Sequence, residues 1–127
     1  MKDKNPLSPH IQIYSWHISS LVSISHRITG IINIFIITLV CCWLAYLLLG
    51  SKNYEIIFNF FGTYIGKFLI VGSVWSFSFQ ALSEIRHLFW DLGFGFEIKT
   101  SNITGVLVIF GSFILTIFFI LIKNSLL

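Results

Sequence analysis

The chain has 127 residues, of which 56% are hydrophobic and 10% charged, with a mean hydropathy of +0.89. A soluble domain carries about 25% charged residues, so this composition excludes an ordinary water-soluble enzyme. The formal net charge of +3 is small and is not gathered into a basic stripe, which argues against a nucleic-acid partner.

Residues 1–20, MKDKNPLSPHIQIYSWHISS, are polar and punctuated. Pro6 and Pro9 bias the residues before them toward extended or turn backbone. Beyond them, Ile11, Ile13, Tyr14 and Trp16 include aromatics of the kind that settle at headgroup level. The segment reads as interfacial, lying on the inner membrane face or against a soluble partner. It is too short and broken for a domain of its own. It lacks the continuous apolar run of a cleavable signal, so the first membrane helix is expected to act as its own insertion signal.

Ser19 or Ser20 is a candidate N-cap for a stretch, SLVSISHRITG, that leads into the first apolar run. Residues 28–51 contain no Asp, Glu, Lys or Arg, enough to cross a hydrocarbon core that takes about 20 residues. A helix is predicted over about 28–49. Ser23 and Arg27 are four apart and share a helix face, with His26 beside them. Arg27 alone would read as a snorkelling side chain. A Ser, a His and an Arg entering the membrane together mark a site. Cys41 and Cys42 are adjacent in mid-helix, so they read as inert apolar filler and build no zinc or iron–sulfur spacing.

Residues 49–59 are expected to form a short outer loop without a motif. A second membrane helix is predicted over 60–83, where Lys67 is the one charge between Glu55 and Glu84 and snorkels outward. Ser76, Gln80, Ser83 or Glu84, and His87 follow i, i+4, i+7 spacing, a polar seam that must face protein, water or a cofactor. Residues 88–102, with Gly93 and Gly95, return the chain to a third helix over 104–123; residues 100–122 are again uncharged. The expectation is an all-α membrane protein, three transmembrane helices preceded by a short interfacial N-terminal segment, forming one anchoring domain over 1–127. Lys2, Lys4, Arg27, Arg86 and Lys99 fall on one side, against Lys52, Lys67 and Lys123, which places the N-terminus inside.

No nucleophile–base pair, phosphate loop or metal-ligand cluster is legible, so neither a catalytic residue nor a metal ligand is assigned. Antiparallel helices bring the Ser23–Arg27 set and the set of Arg86, His87 and Asp91 to the same membrane depth. A hydroxyl, guanidinium groups and imidazoles around an apolar mouth suit a molecule with a greasy tail and polar oxygens. Quinone and the propionates of a haem both meet that description.

Pro6-Leu7-Ser8-Pro9-His10, Ile13-Tyr14, Ser23-x-x-His26-Arg27-x-Thr29-Gly30 and Ile85-Arg86-His87-Leu88-x-Trp90-Asp91-x-Gly93 together resemble the larger membrane-anchor subunit of succinate dehydrogenase, the cytochrome b-type subunit of respiratory complex II. The resemblance spans nearly the whole chain. It implies a flavoprotein, an iron–sulfur protein and a second, smaller membrane anchor as partners, with electrons from succinate passing to ubiquinone near the inner membrane face. It implies that Ser23 and Arg27 line the quinone site. His26 and Arg27 then stand where the family holds haem propionates, with His87 a further contact, and Arg86 and Asp91 support the same region. The implied location is a bacterial inner membrane, or the mitochondrial inner membrane for an organelle-encoded chain, and the isolated chain is not expected to be active.

Two positions depart from that pattern. The family's second motif opens with a His six residues before the Arg, an axial ligand of haem b; here the position is Gln80. The family's Gly four residues later is Glu84. The haem b implied by the resemblance is therefore expected to be weakened, altered in ligation or absent. The alternatives to a quinone-site anchor are a purely structural membrane tether and a free-standing haem or transport subunit. The last is disfavoured by the lack of a mid-membrane His pair.

Overall fold

The computed structural model describes residues 16–48 and 51–126; the motifs at Pro6–His10 and Ile13-Tyr14 lie outside the described residues. The elements are α1 (Ile18–Leu48), α2 (Ser51–Gly62), α3 (Tyr64–Asp91) and α4 (Ile98–Leu126). Of these, α1, α3 and α4 are long and apolar enough to cross a membrane. The expected all-α architecture with three spans is the one observed.

The helices and the predicted spans have different limits. The ranges 28–49, 60–83 and 104–123 are bounded by charge; α1 and α4 start earlier, at Ile18 and Ile98, whereas α3 starts later, at Tyr64, and runs on to Asp91. With 31, 28 and 29 residues, each helix is about 42–46 Å long at 1.5 Å per residue, against a hydrocarbon core of about 30 Å. A polar residue at the membrane surface leaves the backbone ladder intact, so α1 starts ten residues before the uncharged run and α3 continues through Arg86 to Asp91. The N–H groups of Ser20 and Leu21 both reach the carbonyl of His17, at 3.0 and 3.2 Å. Ser19 and Ser20 therefore sit inside the first turn rather than capping it.

The stretch predicted as a plain loop over 49–59 is mostly helix, because α2 begins at Ser51 and takes Phe60 and Phe61 as well. The chain turns at Thr63, whose extended backbone and side-chain oxygen cap α3 by accepting from the N–H of Gly66 at 3.2 Å. A Cβ on Gly66 would stand 2.4 Å from the Phe60 carbonyl oxygen and 2.5 Å from the Phe61 Cα. The corner closes because position 66 has no side chain.

At its other end α3 stops in a glycine-centred cap. The N–H of Gly93 reaches the Trp90 carbonyl at 2.8 Å and that of Phe94 reaches Phe89 at 3.0 Å, with Gly93 at φ +87°. This is the paired 5→2 and 6→1 closure that a left-handed glycine allows.

Helix α3 is central, touching α1, α2 and α4. Its apolar core is small: Val22, Phe79 and Val108, with Trp75, Leu82 and Ile109 against it. Trp75 packs on Phe79 and Phe113 with ring centroids 5.7 and 5.6 Å away. Most other buried positions are small and polar, among them Ser76, Ser78, Ser83, Ser112 and Thr116. Large apolar side chains such as Ile34, Phe35 and Leu39 point outward. In lipid no hydrophobic force drives helices together, so close approach over small residues and hydrogen bonds between helices hold the bundle.

Candidate functional site

The seam predicted on α3 faces α1 and is answered there by His26, Thr29 and Asn33, spaced i, i+3, i+7. Ser76 Oγ donates to Asn33 Oδ1 at 2.7 Å. Thr29 Oγ1 donates to Gln80 Oε1 at 2.9 Å. The Gln80 amide nitrogen lies 2.7 Å from His26 Nε2 and 3.4 Å from Glu84 Oε1, and that carboxylate oxygen lies 3.0 Å from the same imidazole nitrogen. Thr29, Asn33 and Ser76 are buried. The result is a polar clasp running three turns along the α1–α3 contact, in which each interhelical hydrogen bond contributes about 0.6 kcal/mol on the average for membrane helices.

Sequence reading missed Asn33 as part of this clasp. The signal was available, since Asn33 lies two turns beyond His26 on the same face within an otherwise apolar run. The fold also brings together three side chains that the sequence does not group. Ligand atoms of His26, Glu84 and His87 all lie within 4.8 Å of one another. Glu84 and His87 are three apart on α3, but His26 comes from another helix and pairs with them only through tertiary structure. The His87 ring is 5.0 Å from that of His26, its Nδ1 is 2.7 Å from the Ser83 carbonyl oxygen, and its edge meets Trp90.

Arg86, expected to support an inner-face site, turns away from the clasp and is 5% exposed. Its Nε donates to Thr104 Oγ1 at 3.1 Å, and its Nη2 to the Ser101 carbonyl at 3.0 Å, Ser101 Oγ at 3.0 Å and Ser19 Oγ at 3.3 Å. The guanidinium carbon lies 4.0 Å over the Trp90 ring. One side chain thus ties α1, α3 and α4 together. Its planar fork matches several acceptors and a ring face at once, which a lysine cannot do.

Ser23 and Arg27 sit on a neighbouring stripe of α1; Arg27 is about 100° around the helix from His26. Ser23 is half-buried and Arg27 exposed, and neither side chain makes a hydrogen bond or ion pair with the described residues. Asp91 is exposed at the end of α3. Arg86 meets α1 at Ser19, one turn before Ser23, so both polar sets do lie at the same end of the bundle.

An open groove of about 420 Å³ runs between α3 and α4, with Leu82, Phe89, Trp90, Leu107 and Val108 among its walls and Arg86 beside them. Arg86 commits Nε and Nη2 to Thr104, Ser101 and Ser19, so the groove offers mainly apolar wall. The α1 stripe at this end carries Ser23 and Arg27, whose side chains have no partner among the described residues.

Haem iron in proteins is held by His, Cys, Met or Tyr side chains. Position 80 carries an amide whose oxygen accepts from Thr29 and whose nitrogen meets His26. A carboxamide is a weak iron ligand and this one is engaged at both ends. Position 80 does not fit axial ligation of a haem.

Residues 1–119 match the sequence profile of the family described as succinate dehydrogenase/fumarate reductase transmembrane subunit. Similar chains include the succinate dehydrogenase cytochrome b556 subunit of Rickettsia felis, 40% identical over 114 residues that cover 90% of this chain and 89% of that one. The b556 subunit of Paracoccus denitrificans is 30% identical over 116 residues, covering 91% and 89%. The b560 subunit of Marchantia polymorpha is 34% identical over 121 residues, covering 87% and 84%.

Proposed function

The chain belongs to the succinate dehydrogenase/fumarate reductase transmembrane subunit family, a membrane component of an oxidoreductase complex, and from that premise we propose that it completes a ubiquinone-reduction site near the inner membrane face. In this reading residues 1–127 form one anchoring unit. The unit docks the iron–sulfur and flavoprotein subunits beside a second, smaller anchor. The N-terminus lies on the cytoplasmic or matrix side of a bacterial or mitochondrial inner membrane.

The observation that supports it is the contrast between the two stripes of α1. His26, Thr29 and Asn33 are tied to α3, whereas Ser23 and Arg27 are held at fixed depth by that clasp with their own donors uncommitted. Rigid backbone with free donors is the arrangement a binding site needs. The Ser23 hydroxyl donates to a quinone carbonyl oxygen. The Arg27 guanidinium stabilises the negative charge that develops on that oxygen when an electron arrives ahead of a proton. Ubiquinone takes up two electrons, delivered from the iron–sulfur partner, and two protons to leave as the quinol. No step passes through haem.

Quinone reduction by the purified complex carrying Arg27→Ala tests the reading, with subunit stoichiometry measured on the same sample. The expected result is a fall in quinone reduction at unchanged assembly. Full activity at normal assembly would leave the chain as a structural tether.

A further inference from the structure

We propose that His26, Glu84 and His87 form a binding site for a divalent transition ion of the zinc class, clamping α1 to α3 at the inner end of the bundle. The inference is independent of the quinone reading, which rests on Ser23 and Arg27.

The donor set is two imidazoles and one carboxylate, with ligand atoms within 4.8 Å of one another. Two imidazoles and a carboxylate with an open fourth position form a zinc site, and borderline nitrogen and oxygen donors favour such ions over magnesium or calcium. Bonds of about 2.0–2.2 Å to zinc require the donors to close by roughly an ångström, within reach of the long and largely exposed Glu84 side chain. Glu84 and His87 are i, i+3 on one helix, the Glu-x-x-His spacing with which helical bundles present metal ligands inward. His26 approaches from the facing helix.

One further observation points to a cation. His87 Nδ1 is 2.7 Å from the Ser83 carbonyl oxygen, a contact in which the ring nitrogen donates. That hydrogen bond places the proton on Nδ1, orients the ring and leaves the Nε2 lone pair free, as a second-sphere carbonyl does for metal-bound histidines. His26 Nε2 lies 3.0 Å from Glu84 Oε1 and 2.7 Å from the Gln80 amide nitrogen, so its lone pair and the carboxylate already converge on one point across the α1–α3 contact, and an ion bound there leaves the Gln80 N–H to the Glu84 oxygen, 3.4 Å away. The side chain of Glu84 is 56% exposed on this chain, so the carboxylate is not sealed between the helices.

The test uses the assembled complex, purified in mild detergent, stripped with chelator and titrated with zinc. Metal content after gel filtration is compared between wild type, Glu84→Gln, His87→Ala and a control, Glu55→Gln, on the opposite membrane side. Glu84→Gln keeps the size and hydrogen-bonding capacity of the residue, so it reports on the site even where His87→Ala fails to assemble. Wild type and control are expected to hold one more equivalent than the variants, with affinity in the variants weakened by about tenfold or more. Cobalt(II) added to the stripped complex is expected to give a visible ligand-field band in wild type that is absent from Glu84→Gln. Equal zinc content in wild type and variants, or none above background in wild type, overturns the site, as does a haem that contacts these side chains and excludes the ion.

Discussion

The amide nitrogen of Gln80 lies 2.7 Å from Nε2 of His26, so the residue at the family's axial position spends its donor on the neighbouring helix. With Thr29 bonded to the amide oxygen, Gln80 joins α1 to α3. Gln80→His with Glu84→Gly is expected to install an axial imidazole and remove the charge beside it. The purified double variant should then show a stronger six-coordinate, low-spin b-type absorption than the parent complex, with haem content checked as the pyridine haemochrome. A parent complex already showing that spectrum, and losing it in Gln80→Ala, would mean that the amide does ligate iron.

Ser23 offers a single hydroxyl and Arg27 a charge, so their losses should differ in kind. A hydrogen bond that strengthens as charge develops on the acceptor acts on the transition state, and its removal lowers kcat more than it raises KM. Ser23→Ala is expected to reduce kcat for quinone reduction by about a hundredfold, the low end for an oxyanion donor, while Ser23→Thr retains most activity. Arg27→Lys should recover part of what Arg27→Ala loses, because it restores charge without the fork. Steady-state kinetics with a short-chain quinone, on complexes of equal subunit content, separate these outcomes.

How much of this could be read from the chain depended on whether the signal was local. The three spans were legible because a run without charge is a one-dimensional property. The polar seam of Ser76, Gln80, Glu84 and His87 was legible because helical spacing is one too. Its partner Asn33 follows the same spacing on α1 and went unread amid isoleucines. The role of Arg86 was not readable at all: whether an arginine near a membrane surface faces a ligand or a neighbouring helix depends on where Ser101, Thr104 and Ser19 arrive, and those contacts span 15, 18 and 67 positions in sequence. The corner at Thr63 was hidden for a different reason. Phe60 and Phe61 are as apolar as the helix that follows, so hydropathy runs across the break.

Arg86 is the residue whose loss should most damage assembly. Its removal takes four hydrogen bonds out of the junction of α1, α3 and α4, leaves the Thr104 hydroxyl only its bond to the Ser101 carbonyl, and withdraws a cation from the face of Trp90. Hydrogen bonds to a charged group contribute about 1.5–3 kcal/mol each. Arg86→Ala is therefore expected to destabilise the bundle by about 3 kcal/mol or more, and Arg86→Lys by less. Thermal unfolding of the detergent-purified complex, followed by fluorescence-detected gel filtration, should show Arg86→Ala aggregating several degrees below wild type. Quinone kinetics of the fraction that remains assembled should fall less than in Arg27→Ala, because Arg86 reaches α1 only at Ser19, one turn before Ser23.

Gly66 and Gly72 lie on the same helix and differ in what surrounds them. A methyl at position 66 would stand 2.4 Å from the Phe60 carbonyl oxygen and 2.5 Å from the Phe61 Cα, whereas at position 72 nothing lies within 4 Å. Backbone cannot yield to a methyl as the tip of a flexible side chain can. Gly66→Ala must therefore open the corner between α2 and α3, breaking the Thr63 cap and moving Phe61 away from Trp43, its edge-to-face partner at 6.4 Å. In Gly72→Ala the same methyl meets open space and raises helix propensity by up to about 1 kcal/mol. The pair separates close backbone approach from a general intolerance of bulk in α3. Gly66→Ala is expected to reduce the yield of assembled complex in membranes severalfold, while Gly72→Ala matches or exceeds wild type. Equal yields for the two variants would show that the corner tolerates a Cβ.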